Sequence, residues 1–138
     1  MAKPTILFID DEQWLMSGIV DSLSDSYNVV KARTGDDGLK IIESGNHDIA
    51  LILLDIMMPE GQIISTHDRG RTSGVKVVSI LKEMGATIPI VCYTGLNDRE
   101  VHEQLVELGV NTVISKRTLP SKLERVIQRV LSETSEEK

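Results

Sequence analysis

Residues 49–59 read IALILLDIMMP, and this segment carries the strongest structural signal in the chain. The six successive apolar residues Ile49–Leu54 are typical of a central strand in a parallel sheet, because helices cover both faces of such a strand. An acidic residue, Asp55, follows directly. The segment therefore predicts a buried central strand with a carboxylate at its carboxyl end.

Short apolar runs of the same kind recur along the chain, and amphipathic segments separate them. The other runs are residues 5–9, 28–30, 88–93 and 112–114. The amphipathic segments carry apolar residues at helical spacing: Leu15, Ile19 and Leu23; Leu39, Ile41 and Ile42; Val101, Leu105 and Leu108; and Leu123, Val126, Ile127, Val130 and Leu131. This alternation predicts an α/β fold in which helices cover both faces of a five-stranded parallel sheet.

Turn-forming residues mark the ends of the predicted helices. Gly45, Gly85 and Gly109 fall where helices should end, and Pro120 suits the first turn of the last helix. The residues after 131 are polar and are expected to fray. We therefore assign residues 1–131 to one domain and residues 132–138 to a polar C-terminal tail.

Composition excludes several classes of protein. The chain has 138 residues, a formal net charge of −6 and a pI near 5.0, which argue against binding to a nucleic-acid backbone through this domain. Cys92 is the single cysteine, so no intrachain disulfide is expected, and its apolar neighbours predict a buried, inert thiol. The sequence shows no apolar leader and no long apolar run, so we expect a soluble, cytoplasmic protein that is not bound to a membrane.

The residues that follow the predicted strands carry the chemistry. In doubly wound sheets, ligands bind beyond the carboxyl ends of the strands. The residues at these ends are Asp10, Asp11, Glu12, Asp55, Thr94, Ser115 and Lys116. We expect acids, hydroxyls and an ammonium group to converge at one edge of the sheet.

Such a set suits an aspartyl-phosphate site. Asp10, Asp11 and Asp55 could hold Mg²⁺, which prefers carboxylate, water and phosphate oxygens. A divalent cation would also relieve repulsion between the carboxylates and keep Asp55 ionised as a nucleophile. Lys116 and the Thr94 hydroxyl could then stabilise charge on the transferred phosphoryl group.

The same residues form an ordered set of motifs that resembles the receiver domain of response regulators in two-component signalling. The motifs are Ile9-Asp10-Asp11-Glu12, Leu54-Asp55-Ile56-Met57-Met58-Pro59, Tyr93-Thr94-Gly95 and Ser115-Lys116. The resemblance extends from about the first strand to the fifth helix. It implies a flavodoxin-like doubly wound sheet with strand order 2-1-3-4-5 and five helices, as in stand-alone receivers similar to chemotaxis regulators.

The resemblance also implies roles at the metal site. Asp55 is the phosphoacceptor in a Mg²⁺-dependent reaction. Asp11 binds the metal directly, Asp10 binds it mainly through water, and the backbone carbonyl of Met57 completes the protein ligands.

Partners follow from the same resemblance. The phosphoryl donor is a histidine kinase or a histidine phosphotransfer protein. Thr94 and Lys116 contact the phosphoryl group and respond to its presence. The domain then switches its binding to a downstream protein target, and a phosphorylation-dependent homodimer is compatible with the family. By this interpretation the chain is not an enzyme, since it catalyses only its own phosphorylation and dephosphorylation.

Three features depart from the family pattern. Arg117 follows the lysine where the family usually has proline after an often cis bond, and a cis bond without proline costs about 2.5–4 kcal/mol, so the sequence leaves the geometry of the Lys116–Arg117 bond open. Val113 stands where the family often has a rotating Tyr or Phe, and Tyr93 does not match that position. The connection at residues 59–74 is roughly ten residues longer than usual, and long connections are often functional.

This connection has two interpretations that the sequence leaves open. Ile63, Ile64 and the charges of Asp68, Arg69 and Arg71 suggest a recognition element for the kinase or another partner. The second interpretation is a tolerated surface insertion, which costs little loop-closure entropy.

The acidic residues and the function of the chain also allow rival interpretations. Asp10, Asp11 and Glu12 could simply cap the first helix. A phosphate-transferring hydrolase related to the haloacid dehalogenases would carry Asp-x-Asp on the first strand, whereas Asp11 directly follows Asp10 here. A phosphorylation-independent adaptor is the rival binding module. We interpret His47, His67 and His102 as surface residues and Trp14 as a helix residue at the edge of the site.

Overall fold

The computed structural model describes residues 3–12, 17–64, 70 and 72–136. Strands and helices alternate through this part of the chain. The elements are β1 (Thr5–Ile9), α1 (Ser17–Ser24), β2 (Asn28–Ala32), α2 (Gly35–Ser44), β3 (Ile49–Leu54), α3 (Ser73–Glu83), β4 (Ile90–Thr94), α4 (Arg99–Glu107), β5 (Thr112–Ser115) and α5 (Pro120–Glu136).

The five strands form one parallel sheet with the order β2-β1-β3-β4-β5. The predicted fold class is therefore confirmed. The predicted strand at residues 88–93 begins two residues too early, since β4 covers Ile90–Thr94. The observed β2 and β5 each extend beyond the apolar residues that predicted them.

Helices cover both faces of the sheet. One apolar core lies beneath α2, α3 and α4 and includes Leu39, Val78 and Leu105. The second core lies beneath α1 and α5 and includes Leu23 and Ile127. Residues Leu51–Leu54 of β3 are fully buried because alternate side chains enter the two cores. This burial explains the uninterrupted apolar run in the sequence.

Local sequence signals set several helix ends. Thr34 and Asp98 cap α2 and α4, and their side chains accept hydrogen bonds from backbone N–H groups of the first turn. Gly45, Gly85 and Gly109 have positive φ angles of 66°, 76° and 91° at or just after the helix ends. The three glycines therefore end their helices as predicted.

The last helix begins at Pro120, as the sequence predicts, and is longer than expected. It continues to Glu136, through residues that we expected to fray as a polar tail. Leu15, the first residue of the apolar stripe expected in α1, and Trp14 lie outside the described residues. Within the described part of the chain, no helix is long and apolar enough to span a membrane.

Candidate functional site

Backbone hydrogen bonds place the predicted site residues at one edge of the sheet. The N–H of Asp10 donates to the Ala32 carbonyl at 3.0 Å, and the N–H of Asp55 donates to the Ile9 carbonyl at 2.9 Å. The N–H of Lys116 donates to the Thr94 carbonyl at 3.0 Å. Each residue thus continues the parallel ladder by one step beyond its strand, and its side chain is held where the strands end.

Three carboxylates converge at this edge. One oxygen from each of Asp10, Asp11 and Asp55 lies within 4.8 Å of the others. Asp10 and Asp55 are almost fully buried, at 0% and 3% exposure, whereas Asp11 is half-buried. The cluster therefore has a buried floor and one side that faces solvent.

Lys116 lies between the two buried acids. Its Nζ atom is 2.9 Å from Asp10 Oδ2 and 3.0 Å from Asp55 Oδ2. It donates a hydrogen bond to Asp55, and Tyr93 Oη donates a hydrogen bond of 3.3 Å to the Lys116 carbonyl. The buried Tyr93 ring thus anchors the turn that carries the lysine.

The shared ammonium group leaves the carboxylates incompletely neutralised. Burial and the charge of Asp10 raise the pKa of Asp55 from 3.8 to about 6, although Lys116 opposes this shift. Burial lowers the pKa of Lys116, but its contacts with Asp10 and Asp55 outweigh burial and leave that pKa above its ordinary value. The lysine is therefore cationic at neutral pH, and Asp55 has an unusually high affinity for a proton.

The cluster fits a divalent cation. Asp10 Oδ1 accepts the N–H of Glu12 at 2.8 Å, which fixes the carboxylate. Among the described residues, the buried Oδ2 atom of Asp10 accepts no well-directed hydrogen bond, although it pairs with the nearby lysine charge. Three carboxylates facing one ammonium group leave an excess of negative charge that Mg²⁺ would offset.

Thr94 lies beside this cluster and connects it to α4. Its side chain is buried, and Oγ1 accepts the N–H of Leu96 at 3.1 Å. The Leu96 carbonyl in turn lies 3.0 Å from Nε2 of His102, which is half-buried on α4. His102, which we predicted to be a surface residue, is thus only partly exposed and has a partner in the loop. No local pattern in the sequence marks this contact, because it depends on the path of the β4–α4 loop.

A cavity of about 300 Å³ adjoins Thr94 between β5 and the start of α4. Val113 and His102 contribute to its lining. Val113 occupies the position where the family often has an aromatic residue, and a valine fills less space there than a Tyr or Phe.

Four further sequence expectations concern single residues near and away from the site. No cis peptide bond occurs in the described residues, so the Lys116–Arg117 bond, whose geometry the sequence left open, is trans. Cys92 is fully buried, and burial raises the pKa of its thiol to about 12, consistent with an inert thiol. His47 is exposed as predicted. His67 lies outside the described residues.

The long connection between β3 and α3 is partly folded onto the domain. Ile64 is 1% exposed and packs in the core beneath α2, whereas Ile63 is 45% exposed. Burial therefore accounts for Ile64, which the sequence suggested as a partner contact. Asp68, Arg69 and Arg71 lie outside the described residues.

Asp36 is the residue of this region that sequence reasoning missed. Its carboxylate is buried and accepts the N–H groups of Ile63 and Ile64, each at 2.9 Å. In the sequence it resembles an ordinary acid in the first turn of a helix, so its role emerges only from the tertiary structure.

Comparison with known proteins agrees with this geometry. The family model described as "Response regulator receiver domain" matches residues 6–128. The transcriptional regulatory protein CiaR of Streptococcus pneumoniae is 31% identical over 126 residues, which cover 91% of this chain and 50% of that protein. The transcriptional regulatory protein DltR of Streptococcus agalactiae is 30% identical over 126 residues, which cover 91% of this chain and 49% of that protein. The chain thus spans about half the length of these curated relatives.

Solved structures show the same fold. A CheY-like response regulator receiver domain protein from Methanospirillum hungatei superimposes with a TM-score of 0.83 at 24% sequence identity. The match covers 99% of this chain and 100% of the other. At this level of identity the structural likeness establishes the fold.

Proposed function

Because this chain belongs to the family of response regulator receiver domains, we propose that it is a Mg²⁺-dependent phosphoacceptor switch whose phosphorylated residue is Asp55. The observation that carries the proposal is the convergence of Asp10, Asp11 and Asp55 around one lysine. In this proposal the domain comprises residues 1–131, and the chain works in the cytoplasm.

The proposed chemistry is transfer of a phosphoryl group to a carboxylate. One oxygen of ionised Asp55 attacks the phosphorus atom, and the bond between phosphorus and the donor breaks as the new O–P bond forms. The donor is a phosphohistidine of a kinase or phosphotransfer protein, or a small acyl phosphate. The product is a mixed anhydride on Asp55.

The metal would be held by Asp11 and Asp55, by Asp10 mainly through water, and by the Met57 carbonyl. When bound, Mg²⁺ supplies positive charge that offsets the charge on the phosphoryl oxygens. It would also compete with Lys116 for the carboxylates.

Lys116 and Thr94 would bind the product. The Lys116 ammonium already lies 3.0 Å from an oxygen of Asp55, so it can move to a phosphoryl oxygen without a large displacement. Thr94 can turn its hydroxyl toward the group at the expense of its hydrogen bond with Leu96. The first change stabilises the phosphoryl group, and the second alters the β4–α4 loop, whose new shape a downstream partner would recognise.

The two rival functions predict different products. An aspartyl-phosphate hydrolase would release phosphate repeatedly from an added substrate. A phosphorylation-independent adaptor would incorporate none. Retention of all five anchor residues, Asp10, Asp11, Asp55, Thr94 and Lys116, supports the switch over the adaptor.

Incubation of the purified protein with a small phosphodonor and Mg²⁺ tests the proposal. Mass spectrometry should detect one added phosphoryl group, and hydroxylamine should remove it. Asp55→Asn should abolish the addition while the fold persists, because the two side chains are nearly isosteric. Undiminished labelling of Asp55→Asn would rule out the assigned phosphoacceptor, and turnover of an added phosphate monoester would favour the hydrolase, since the switch accepts phosphoryl groups only from activated donors.

A further inference from the structure

One end of the β3–α3 connection is held by the carboxylate of Asp36. Both of its oxygens are used, since Oδ2 accepts the N–H of Ile63 and Oδ1 that of Ile64, each at 2.9 Å. The nearby N–H of Gln62 also helps to lower the pKa of this carboxylate. Burial raises the pKa of Asp36, but the three backbone donors, with the charge of Lys40, bring it below its ordinary value. Successive backbone amides thus enclose an ionised, buried side chain.

At two glycines beside this contact, there is no room for a side chain. A Cβ atom on Gly61 would lie 2.5 Å from the Asp36 carboxyl group, and one on Gly35 would lie 2.9 Å from the Ile64 side chain. The N–H of Gly61 also donates to the Ile64 carbonyl at 2.8 Å, which closes a turn. Residues 61–64 are therefore tied to the start of α2 by hydrogen bonds and by the buried Ile64, although Gly61, Gln62 and Ile63 are exposed.

The other end of the connection is bonded to the segment that follows Asp55. The Gly70 carbonyl accepts the N–H of Met58 at 3.1 Å, and Ser73 Oγ donates to the Met58 carbonyl at 2.8 Å. Gly70 has a φ angle of +89°, and a Cβ atom there would collide with the Met58 carbonyl oxygen. Only glycine suits both this backbone conformation and this close approach.

The Gly70 contact has a consequence for the metal site. The Met58 N–H and the Met57 carbonyl belong to the same peptide group, which is planar and trans, so the two bonds point in opposite directions. A hydrogen bond that fixes the N–H toward Gly70 therefore also fixes the direction of the Met57 carbonyl. That carbonyl is the backbone ligand in the proposed Mg²⁺ site.

We propose that Gly70 and Asp36 are positioning residues for the Met57 carbonyl in the metal site. Gly70 sets the direction of the carbonyl, and Asp36 holds residues 61–64, which follow Met58 closely in the chain. This inference rests on the proposed function, because it assumes that the cluster binds Mg²⁺. It explains why a connection of this length is fastened at both ends.

The test compares Mg²⁺ affinity between matched variants of the full chain. Gly70→Ala and Asp36→Asn remove the two anchors, while Gly85→Ala and Asp37→Asn are their controls. Gly85 has a similar φ angle of 76° with nothing within 4 Å of an added Cβ, so it reproduces the backbone strain alone. Asp37 is the neighbour of Asp36 on α2, so its variant reproduces the loss of charge.

Titration with MgCl₂, followed by amide chemical shifts in ¹⁵N-labelled protein, gives the dissociation constant and also reports that each variant is folded. We expect Mg²⁺ affinity to fall about tenfold or more in both anchor variants, as for other groups that orient metal ligands, and to change less than about twofold in the controls. The phosphorylation rate of the anchor variants should recover at saturating Mg²⁺, because the nucleophile is unchanged.

The outcomes separate this inference from the proposed function. If the wild-type protein does not bind Mg²⁺, the metal-dependent function itself fails. If the wild-type protein binds Mg²⁺ and folded anchor variants bind it equally well, the positioning roles are wrong. If Gly70→Ala does not fold, Asp36→Asn and Ser73→Ala decide the matter, and wild-type affinity in both overturns the proposal.

Discussion

At the residue scale, the central feature is that two buried carboxylates share one ammonium group. Lys116 Nζ lies within 3.0 Å of oxygens from both Asp10 and Asp55. These three residues could be predicted from the sequence, since each follows an apolar strand and parallel strands end at the same edge of a sheet. The raised pKa of Asp55 could not be predicted, because it depends on how far the site is buried and on how the lysine divides its contacts.

The first prediction concerns this carboxylate in the absence of metal. The pKa of Asp55 is raised in the folded state, from 3.8 to about 6, so ionising Asp55 opposes folding. Its protonated form contributes stability that is fully present below pH 3.8 and is lost as the pH rises through about 6. With EDTA present, wild-type protein should therefore lose on the order of 2–3 kcal/mol of stability relative to Asp55→Asn over this range.

Urea unfolding at a series of pH values measures the difference between the two proteins. Above pH 7 without metal, Asp55→Asn should be the more stable protein, because it carries one carboxylate fewer beside Asp10. A stability difference that does not vary between pH 4 and pH 7 would show that the pKa of Asp55 is not raised. Addition of Mg²⁺ should favour the wild type, since the asparagine is the poorer metal ligand.

At the scale of elements, the strands and most helix ends could be predicted from the sequence, whereas contacts between loops and helices could not. Gly45 and Pro120 act locally, so their positions mark helix boundaries. His102 and Asp36 act on backbone atoms 6 and 27 or 28 positions away in the chain. Such contacts depend on the paths of the connecting loops, which apolar periodicity does not encode.

The second prediction concerns the link from Thr94 through Leu96 to α4. If the Thr94 hydroxyl turns toward a phosphoryl group, the N–H of Leu96 loses its acceptor and the loop carbonyl bonded to His102 should shift. Phosphorylation should therefore speed hydrogen exchange in the first turn of α4, by roughly the several-fold expected for loss of a hydrogen bond. Mass spectrometry of exchanged peptides before and after small-donor phosphorylation measures the effect.

Thr94→Val and His102→Ala should reduce this change without preventing phosphorylation, because neither residue supplies the nucleophile. His47→Ala, at an exposed position far from this link in the chain, is the control and should respond as the wild type does. A full response of α4 in both Thr94→Val and His102→Ala would show that the signal reaches the helix by another route.

At the scale of the whole molecule, the architecture could be predicted because the apolar runs, the amphipathic segments and the acids at the strand ends all indicate the same fold. The apolar run of β3 requires cover on both faces, and the amphipathic segments between the strands provide it. The acids that follow the strands then come together at the edge of the sheet formed by the carboxyl ends of the strands. The packing of the β3–α3 connection was not predictable. It depends on close contacts that only glycines permit and on a buried carboxylate that belongs to another element.

The last prediction concerns the stability of the whole domain in Mg²⁺. The carboxylates of Asp10, Asp11 and Asp55 lie on two different strand ends and come together only in the folded chain, so Mg²⁺ should bind the folded state selectively. When the free Mg²⁺ concentration is about ten times the dissociation constant, binding stabilises the fold by about 1.4 kcal/mol, which should raise the melting temperature by a few degrees.

Calorimetric scans at pH 8 with MgCl₂, and with NaCl at the same ionic strength, separate specific binding from screening of the net negative charge. Asp11→Asn should lose most of the Mg²⁺-specific increase, while Asp37→Asn should keep it because Asp37 lies on α2 outside the cluster. If NaCl raises the wild-type melting temperature as much as MgCl₂, the carboxylate cluster is not a divalent metal site.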